Sequence, residues 1–368
     1  MRNSNPNKKK IVILAAGGTG GHVFPGLAVA KKLIESNFEV VWLGTKKGLE
    51  SKVAKENNFT IYYINAIGLR GKNIFNWIKS PFLLVSSIIK SIVLIYKFKP
   101  CCILGMGGFV SAAGGISAIL TRTPLIIQEQ NAIEGATNKF LSFFSRKIFT
   151  GFPMAFKSNS KAIFVGNPLR ECFYKSSTPR ERFISNKQKN ILILGGSLGA
   201  SKINEVVTQA VKKLSMDENV DVNICHQTGI KDRGWVENEY ASIKIDYHVE
   251  DFFKDINKFY QNADLVICRS GALTVSEIIA TGVASILIPF PHAINNHQEE
   301  NANRLVNSGA AFKFTDLDIT SNELYLMIKM LVSDDELRIK MAENSQNLLT
   351  ENSSEKIIST IEELSYAN

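Results

Sequence analysis

The sequence has few cysteines, and they follow no pattern. The five cysteines are scattered along the chain, and no two form a C-x-x-C pair. An odd, unpatterned set argues against a disulfide framework and against a zinc site, and it favours reduced thiols in a reducing compartment. The basic start, MRNSNPNKKK, is followed by an apolar stretch that runs into glycines within a few residues, so the apolar segment of a signal peptide is missing. We therefore expect a cytosolic protein.

Acidic residues are missing from one long segment. No Asp or Glu occurs in residues 57–128, although the chain as a whole has a mixed composition and a net charge of +9. The basic residues of this segment are Arg70, Lys72, Lys79, Lys90, Lys97, Lys99 and Arg122. Such a one-sided segment suits an anionic partner, either a membrane surface or a nucleic acid. Nucleic acid is the weaker alternative, because the sequence has no zinc finger, no RNP-like signature and no dense arginine cluster.

A long uncharged run is missing even from the most apolar segment, residues 74–100. Its longest uncharged run, residues 80–89, is far shorter than the ~20 residues that a membrane-spanning helix needs. One prediction for this segment is a core helix over residues 83–95 that packs on the first sheet. The other is an interfacial patch for anionic lipid, because aromatic and aliphatic residues lie beside Lys and Arg there. The predicted patch consists of Ile74, Phe75, Trp77, Ile78, Lys79 and Phe82.

Short β-branched runs alternate with stretches of helical apolar spacing along the chain. The predicted strands are residues 11–15, 40–43, 103–105, 124–128, 191–194, 222–225, 265–268 and 285–288. Flat apolar runs of this kind are typical of strands buried on both faces of a parallel sheet. Helical spacing occurs between them, for example over residues 203–214 and 272–281. The alternation predicts an α/β protein with doubly wound parallel sheets.

Two similar glycine-rich segments predict two domains. ILAAGGTGGH (residues 13–22) and ILILGGSLGA (residues 191–200) each have the form of a strand, a glycine-rich turn and a helix start, about half a chain apart. A length of 368 residues also exceeds the usual single core. We predict two Rossmann-like domains, residues 1–168 and 169–349. A closing helix over about residues 350–368 is expected to pack back on the first domain.

The first glycine-rich turn, GGTGGH, matches no standard nucleotide motif. The third glycine of a dinucleotide fingerprint is replaced by Val23, no acid follows the second strand to hold a ribose, and a Walker lysine is absent. The turn is therefore either structural or a ligand-binding loop that uses the start of the following helix. His22 lies where the loop becomes a helix. It either caps and packs there or works at the carboxyl ends of the strands, where α/β sheets bind ligands.

The second half contains a more specific segment, ICRSGALTVSEIIATG. A strand ends at Cys268, and a tight turn leads into a helix that Ser270 could cap and whose N–H groups could bind a phosphate. Glu277, about two turns along, is either a ribose ligand or a solvated helix acid. The polar segment PFPHAINNHQEENA follows, and it suits sugar hydroxyls better than a metal because His292 and His297 lack metal-ligand spacing.

Six segments in order resemble the MurG family of N-acetylglucosaminyltransferases. They are GGTGGHVFPGLAVA, EQNAIEGATNK, GNPLR, ILGGSLGA, CRSGALTVSE and HQEENA, and the resemblance extends from residue 11 to about residue 309. The resemblance implies a GT-B fold, in which two Rossmann-like domains face each other across a cleft. The nucleotide sugar would bind mostly to the C-terminal domain, and the lipid-linked acceptor would approach the N-terminal one.

The resemblance also implies roles for single residues. His22 is the candidate general base. The residues implied to bind UDP-N-acetylglucosamine are Thr19, Gly20, Gly21, Asn131, Arg170, Ser197, Phe253, Ala272, Leu273, Thr274, Val275, Ser276, Glu277 and Gln298. Phe253 would contact uracil through its backbone, Asn131 the N-acetylglucosamine, and Gln298 the sugar hydroxyls. No cofactor and no metal ion are expected, because helix N-termini and an arginine could stabilise the leaving UDP.

The expected reaction is inverting transfer of N-acetylglucosamine to the 4-hydroxyl of N-acetylmuramyl pentapeptide on undecaprenyl pyrophosphate, which converts lipid I to lipid II. The resemblance places the protein peripherally on the cytoplasmic face of the inner membrane, in peptidoglycan synthesis, with cell-wall synthesis proteins as partners. Two alternatives stay open. One is a UDP-N-acetylglucosamine 2-epimerase with a similar fold, and the other is a non-catalytic nucleotide-binding membrane adaptor, which the polar density of residues 289–302 argues against.

Overall fold

The chain forms two compact α/β units in a computed structural model. The structure describes residues 9–65, 74–175, 177–185, 188–196, 199–218 and 220–366, with the backbone alone for 74–80, 184–185, 294 and 366. The first unit contains the chain up to Arg170 together with the segment from Thr350 onward, and the second unit extends from Glu171 to Leu349.

The first unit is built on a seven-stranded parallel sheet of order β3-β2-β1-β4-β5-β6-β7. Its strands are β1 (Ile11–Ala15), β2 (Glu39–Gly44), β3 (Thr60–Tyr63), β4 (Cys102–Gly105), β5 (Leu125–Glu129), β6 (Lys147–Thr150) and β7 (Ala162–Phe164). Its helices are α1 (Gly20–Glu35), α2 (Leu49–Glu56), α3 (Ile74–Phe98), α4 (Gly108–Leu120) and α5 (Ala136–Ser142). A closing helix from the end of the chain, given below, completes the unit.

Both faces of this sheet are buried. Successive residues of β1 alternate between two apolar cores, with Val12 and Leu14 in one and Ile13 and Ala15 in the other. A strand that is apolar on both faces needs a helix layer on each side, which explains its continuous apolar run. One core also receives the isoleucines of the closing helix, such as Ile361.

The second unit has a six-stranded parallel sheet of order β10-β9-β8-β11-β12-β13. Its strands are β8 (Lys189–Leu194), β9 (Val222–Gln227), β10 (Asp246–Glu250), β11 (Leu265–Cys268), β12 (Ala284–Leu287) and β13 (Ala311–Lys313). Its helices are α6 (Pro179–Ser185), α7 (Ser201–Leu214), α8 (Arg233–Tyr240), α9 (Ile256–Asn262), α10 (Ala272–Thr281), α11 (His297–Asn307), α12 (Ser321–Ser333) and α13 (Asp335–Gln346). The last helix of the chain, α14 (Ser353–Tyr366), is the closing helix of the first unit.

The predicted fold class is confirmed, but five strands were not predicted from the sequence. Four of these, β3, β7, β10 and β13, lie at sheet edges and are half-exposed, so they lack the flat apolar run that marks a central strand. The fifth, β6, begins with a lysine and lies next to an edge. The helix predicted over residues 83–95 is real, and α3 is longer than predicted at both ends.

Candidate active site

The glycine-rich turn after β1 places the start of α1 at the carboxyl edge of the first sheet. Thr19 is exposed and occupies the N-cap position of α1. Gly18 has a φ of +98°, which glycine adopts without the penalty that a Cβ would bring. The N–H groups of a first helical turn have no acceptor within the helix, so those of Gly20 and Gly21 are suited to a negatively charged group.

A buried glutamate that the sequence analysis missed holds this turn. The carboxylate of Glu50, in the first turn of α2, accepts hydrogen bonds from the Gly18 N–H (3.1 Å) and from the N–H and hydroxyl of Thr45 (both 2.7 Å). Glu50 is fully buried, and a Cβ at Gly48 would overlap its carboxylate. A single Glu in a first helical turn carries no motif, so the sequence offers little signal for this role.

His22 lies in the first turn of α1, half-buried, and its ring touches two further loops at the same sheet edge. Its Nδ1 is 2.8 Å from Oε1 of Gln130, which directly follows β5. A Cβ at Gly107 would lie 2.9 Å from Cε1 of His22, and one at Gly108 would lie 3.4 Å from Cδ2. Both glycines have positive φ, so backbone rather than side chains surrounds the imidazole on that side.

Buried amides continue from His22 into the sheet edge. Gln130 donates to the carbonyl of Met106 at 3.0 Å and to the side-chain oxygen of Gln128. Gln128 in turn donates to Oδ1 of Asn167, a residue of the GNPLR segment, at 3.0 Å. Asn167 donates back to the carbonyl of Gln130 at 2.9 Å. These side chains form a closed hydrogen-bonded group behind the histidine, which we call the amide cluster.

A second buried glutamate, Glu129, shapes the loop after β5. Its carboxylate accepts from the N–H groups of Asn131 (3.0 Å) and Gly135 (3.1 Å) and from the amide of Asn138 (2.9 Å). The predicted sugar ligand Asn131 therefore lies on a loop that its neighbour fixes, at the same sheet edge as His22. Arg170, a predicted nucleotide ligand, is the last residue of the first unit before the chain enters the second.

In the second unit, α10 presents its N-terminus after the tight turn that follows β11. Gly271, which has no side chain to cap the helix, occupies the N-cap position. The expectation that Ser270 caps α10 is wrong, because its hydroxyl donates to the carbonyl of Gln298 at 2.7 Å. The first-turn N–H groups of α10 are consequently not satisfied by a cap side chain. They can bind a phosphate oxygen.

The six predicted ligands on α10 divide by the direction of their side chains. Val275 is fully buried in the core, and the hydroxyl of Ser276 donates to the carbonyl of Ala272 at 2.9 Å. Leu273, Thr274 and Glu277 are half-buried on the other side of the helix. The inward residues could therefore contact a ligand only through their backbone.

Two side chains fix the ends of α10 and of the loop beside it. Arg182 donates to the carbonyls of Thr281 (2.8 Å) and Gly282 at the C-terminus of α10. At the other end Arg269 pairs with Asp316 and donates to the carbonyl of Ile288 at 3.1 Å. These contacts tie the C-terminus of α10 and the turn before the helix to neighbouring elements, and a phosphate site needs support of this kind.

The remaining predicted ligands of the second unit have mixed placements. Oε1 of Gln298 accepts from the Phe290 N–H at 2.9 Å, which leaves its amide N–H groups to donate. The backbone N–H of Phe253 donates to Oε1 of Gln227 at 2.9 Å, so a uracil contact through this N–H would require Gln227 to release it. Ser197 lies outside the described residues.

A buried histidine supports the second glycine-rich turn. His226, at the end of β9, is fully buried, with Nε2 3.1 Å from Oδ1 of Asn204 and Nδ1 3.0 Å from the hydroxyl of Tyr240. Asn204 also donates to the carbonyl of Thr228 at 2.9 Å. A Cβ at Gly199 would lie 2.5 Å from that same carbonyl oxygen, so the turn and the Thr228 backbone are in close contact.

Burial explains why His226 is neutral. It lowers the pKa of His226 to about 3, because the charged form would lose its hydration in the core.

Within the described part of the chain, no three His, Cys, Asp or Glu side chains are grouped closely enough to hold a metal ion.

Two family models match the two units in order. The glycosyltransferase family 28 N-terminal domain matches residues 12–150, and the glycosyltransferase family 28 C-terminal domain matches residues 190–361. The chain belongs to glycosyltransferase family 28. This result confirms the family resemblance that the six sequence segments carried.

Individual relatives of this family 28 chain are similar over nearly its whole length. A UDP-N-acetylglucosamine–N-acetylmuramyl-(pentapeptide) pyrophosphoryl-undecaprenol N-acetylglucosamine transferase from Coxiella burnetii is 41% identical over 348 residues, 94% of this chain and 96% of the relative. A crystal structure of MurG from Acinetobacter baumannii matches with a TM-score of 0.82 at 33% identity, covering 97% of this chain and all of that one. A UDP-GlcNAc 2-epimerase from Neisseria meningitidis matches with a TM-score of 0.66 at 15% identity over 97% of this chain and all of that one, which shows a shared fold alone.

One helix of this family 28 chain exposes an unusual apolar stripe. Residues at helical spacing along α3 are exposed, and they are Phe82, Val85, Ile89, Val93 and Tyr96. The opposite side of α3 packs into the core of the first unit through residues such as Ile88 and Ile95. Of the predicted lipid patch, Phe82 is 77% exposed, whereas the side chains of residues 74–79 lie outside the description.

The same helix resembles a membrane span in its length and composition. Within the described residues, Pro81–Phe98 is long and apolar enough to cross a bilayer, with a mean hydropathy of 1.7 over 18 residues. Of that stretch, 17% is buried. One side of α3 packs on α4 and on the apolar core of the first unit, and the other side is an exposed apolar face.

Proposed function

We propose that this chain transfers N-acetylglucosamine from UDP-N-acetylglucosamine to the 4-hydroxyl of an N-acetylmuramyl-pentapeptide carried on undecaprenyl pyrophosphate. The acceptor and donor are those in the name of the Coxiella relative. Family membership, near full-length similarity and the two described sheet edges support this proposal. The strongest single observation is that His22 lies at the carboxyl edge of the first sheet, with one ring nitrogen hydrogen-bonded to Gln130.

His22 is the proposed general base. The acceptor hydroxyl must lose its proton as its oxygen attacks the anomeric carbon, and a positioned base contributes ~10²–10⁴-fold to such a step. Attack from the face opposite to UDP inverts the α-linked donor to a β-1,4 product. The backbone of Gly107 and Gly108 lies against one side of the half-buried ring, so a sugar hydroxyl would approach His22 from its remaining exposed side.

The N-terminus of α10 is the proposed site for the UDP diphosphate. Uncapped first-turn N–H groups and the helix dipole both favour negative charge, and their stabilisation grows as the leaving group gains charge in the transition state. Glu277, half-buried two turns along, would accept hydrogen bonds from the ribose hydroxyls. Gln298 would donate its amide to a sugar hydroxyl, since Phe290 occupies its oxygen.

The other donor contacts remain proposals carried by the family resemblance. Thr19, Gly20 and Gly21 would contact the donor through the first turn of α1, and Asn131 would bind its N-acetyl sugar. Arg170 and Ser197 would bind the nucleotide, and Phe253 would contact uracil through its backbone. These contacts involve backbone groups and polar or charged side chains, as expected for a ligand rich in hydroxyl and phosphate groups.

The exposed stripe of α3 is the proposed docking surface for the anionic cytoplasmic face of the membrane. Its apolar side chains lie among Lys90, Lys97 and Lys99 in the acid-free segment. Basic residues near an anionic surface contribute roughly 1 kcal/mol each, and apolar side chains add burial at the headgroup level. Peripheral docking there would bring the first unit to a lipid-linked acceptor.

A transfer assay tests the proposed reaction. With radiolabelled UDP-N-acetylglucosamine and a lipid I analogue, the wild-type protein should form a β-1,4-linked disaccharide product. His22→Ala should lower kcat by ~10²–10⁴-fold while leaving the donor KM nearly unchanged. Release of N-acetylmannosamine or its nucleotide from the donor alone would instead establish the epimerase alternative. Normal turnover of His22→Ala at saturation would remove the histidine from the chemistry.

Vesicle binding tests the docking surface. Replacing Phe82 and Ile89, 77% and 56% exposed, by Ser should weaken binding to anionic liposomes and activity on the full-length lipid acceptor. Activity on a short-chain soluble acceptor should stay near the wild-type value. Leu317→Ser is the matched control, because Leu317 is 76% exposed but belongs to the second unit. Equal losses on both acceptors would contradict the docking role.

A further inference from the structure

The hydrogen-bond partner of His22 is a group whose two ends have fixed chemistry. A primary amide has an oxygen that only accepts and a nitrogen that only donates. Whichever end of the Gln130 amide faces Nδ1 of His22 therefore decides whether Nδ1 carries a hydrogen. The orientation of the Gln130 amide therefore determines the tautomer of His22.

The backbone determines the orientation of Gln130. Its side-chain nitrogen lies 3.0 Å from the carbonyl oxygen of Met106, which can only accept. Turning the amide over would place two oxygens against each other there and leave Gln130, which is 1% exposed, with an unsatisfied buried group. Oε1 must consequently face His22, as the 2.8 Å distance to Nδ1 records.

The rest of the amide cluster leads independently to the same orientation. Asn167 donates to the backbone carbonyl of Gln130 at 2.9 Å, so its Oδ1 faces Gln128. Gln128 must then donate to Asn167, as it does at 3.0 Å, and present its own oxygen to the nitrogen of Gln130. All of these amides are buried, which makes a reversed chain costly at each link.

We propose that Gln130 is a positioning residue that holds neutral His22 with its hydrogen on Nδ1, so that the lone pair of Nε2 faces the acceptor hydroxyl. This proposal rests on the proposed role of His22 as general base. In the transfer step the acceptor oxygen forms a bond to the anomeric carbon, and the bond from that carbon to UDP breaks with its electrons leaving on UDP. The hydroxyl proton moves to Nε2, and the resulting imidazolium still donates from Nδ1 to Gln130.

Glycine residues on the neighbouring loop complete the arrangement. Gly107, with a φ of +89°, would bring any Cβ within 3.1 Å of Nδ1 of His22. A side chain at this position would push the imidazole away from Gln130. The loop therefore protects the hydrogen bond that sets the tautomer while adding no competing donor or acceptor side chain.

Nitrogen NMR of the wild-type protein tests the tautomer without an activity assay. In protein labelled with ¹⁵N-histidine, the two ring nitrogens of His22 should show a protonated Nδ1 and an unprotonated Nε2 at a pH where the ring is neutral. His22→Asn assigns the signals, because the ring signals of His22 are missing from its spectrum. The shorter Asn amide can still donate to Gln130, which keeps the amide cluster in place. A wild-type His22 with its hydrogen on Nε2 would overturn the proposal.

Two variants of the amide cluster test whether Gln130 itself sets the tautomer of His22. Gln130→Leu should give a mixture of tautomers at His22, because the only acceptor for Nδ1–H in the cluster is removed. Gln128→Leu should leave the hydrogen on Nδ1, since the Met106 carbonyl still orients Gln130. The proposal is contradicted if Gln130→Leu, folded by circular dichroism, keeps the wild-type tautomer.

Kinetics separate positioning from a general structural effect. Gln130→Leu should lower kcat about 10- to 100-fold with little change in donor KM, less than the ~10²–10⁴-fold effect of removing the base. In a His22→Ala background the same substitution should cause no further loss, because Gln130 acts through the histidine. A further loss of similar size there would assign Gln130 a structural role. Unchanged turnover of His22→Ala would refute the proposed base, while the NMR result would still decide the tautomer.

Discussion

The buried histidine of the second unit should make that unit sensitive to mild acid. His226 is neutral in the fold because burial lowers its pKa to about 3, whereas in the unfolded chain it has the ordinary value of about 6.5. The unfolded state therefore binds a proton more readily between these values. The stability that neutral His226 contributes is complete above pH ~6.5 and is lost progressively as the pH falls below it.

The size of the effect follows from the two pKa values. Proton linkage gives a loss of about 2 kcal/mol in the free energy of unfolding of the second unit between pH 7.5 and pH 5. Tyr240, which bonds to His226, and Asp232, which bonds to Asn204, do not titrate in this window. Burial raises the pKa of Tyr240. Burial alone would raise that of Asp232, but hydrogen bonds from Ser201, Asn204 and Trp235 outweigh it and lower the pKa of this carboxyl.

Fluorine NMR can follow this unit within the intact chain. Labelling with 5-fluorotryptophan gives one probe for each of the three tryptophans, and Trp235 is the one in the second unit. Its signal across a urea titration yields the unfolding free energy at each pH. Because folded His226 stays neutral over this pH range, the hydrogen bond from Asn204 to the Thr228 carbonyl should persist in the folded unit, and only its unfolding free energy should change.

Two variants determine whether His226 is the cause. His226→Gln keeps an N–H that can donate to Asn204 but cannot take up a proton, so it should be less stable at pH 7.5 and nearly independent of pH down to 5. His248→Gln, which removes an exposed histidine from the neighbouring strand β10, should keep the wild-type slope. If the wild-type unfolding free energy at Trp235 is the same at pH 7.5 and pH 5, the reasoning is refuted.

Two further predictions concern the glutamates of the two units. Glu277→Ala should raise the donor KM through the loss of charged hydrogen bonds to the ribose, each worth ~1.5–3 kcal/mol, and unchanged donor kinetics in a folded variant would make Glu277 an ordinary helix acid. Glu50→Gln replaces one acceptor oxygen by a donor facing Gly18 or Thr45, so the first unit should lose ~1.5–3 kcal/mol of stability, measured by urea unfolding with the fluorine signal of Trp42. Trp42 suits this measurement because its ring donates to the carbonyl of Ala16 beside the turn, and an unchanged unfolding midpoint would show that Gly18 needs no carboxylate.

The central strands of both sheets could be predicted from sequence, because strands that are buried on both faces are apolar along their whole length. Strands such as β1 and β11 carry continuous apolar runs, and their predicted bounds coincide with the observed ones. Edge strands such as β10 have one exposed face and unpaired backbone on one side, so their sequences are polar and irregular. Their existence depends on pairing with a neighbour, which no local pattern encodes.

The candidate site was predictable in the same uneven way. The glycine-rich turns, His22 and the start of α10 are recognisable because glycine and helix-start chemistry restrict the local sequence. The segment 272–277 was predicted as a whole to hold phosphate and ribose, and dividing it into side-chain and backbone contacts needed the direction in which the helix faces, which buries Val275 in the core. Glu50 and Gln130 were missed as supporting residues, because their partners lie far away in sequence.

In each unit, a buried polar side chain from another element supports the glycine-rich turn that follows the unit's first strand. The chemistry of this support differs between the two units. The first unit uses the carboxylate of Glu50, which accepts from backbone N–H groups and fixes the turn from below. The second uses neutral His226, which bonds to Oδ1 of Asn204, and Asn204 in turn donates to the Thr228 carbonyl against which Gly199 packs. A glycine turn gains close approach to a ligand by giving up side-chain packing, so its position must be fixed from outside the turn. Because the unfolded chain protonates this histidine below pH ~6.5 while the folded unit keeps it neutral, mild acid lowers the stability of the unit whose turn depends on it.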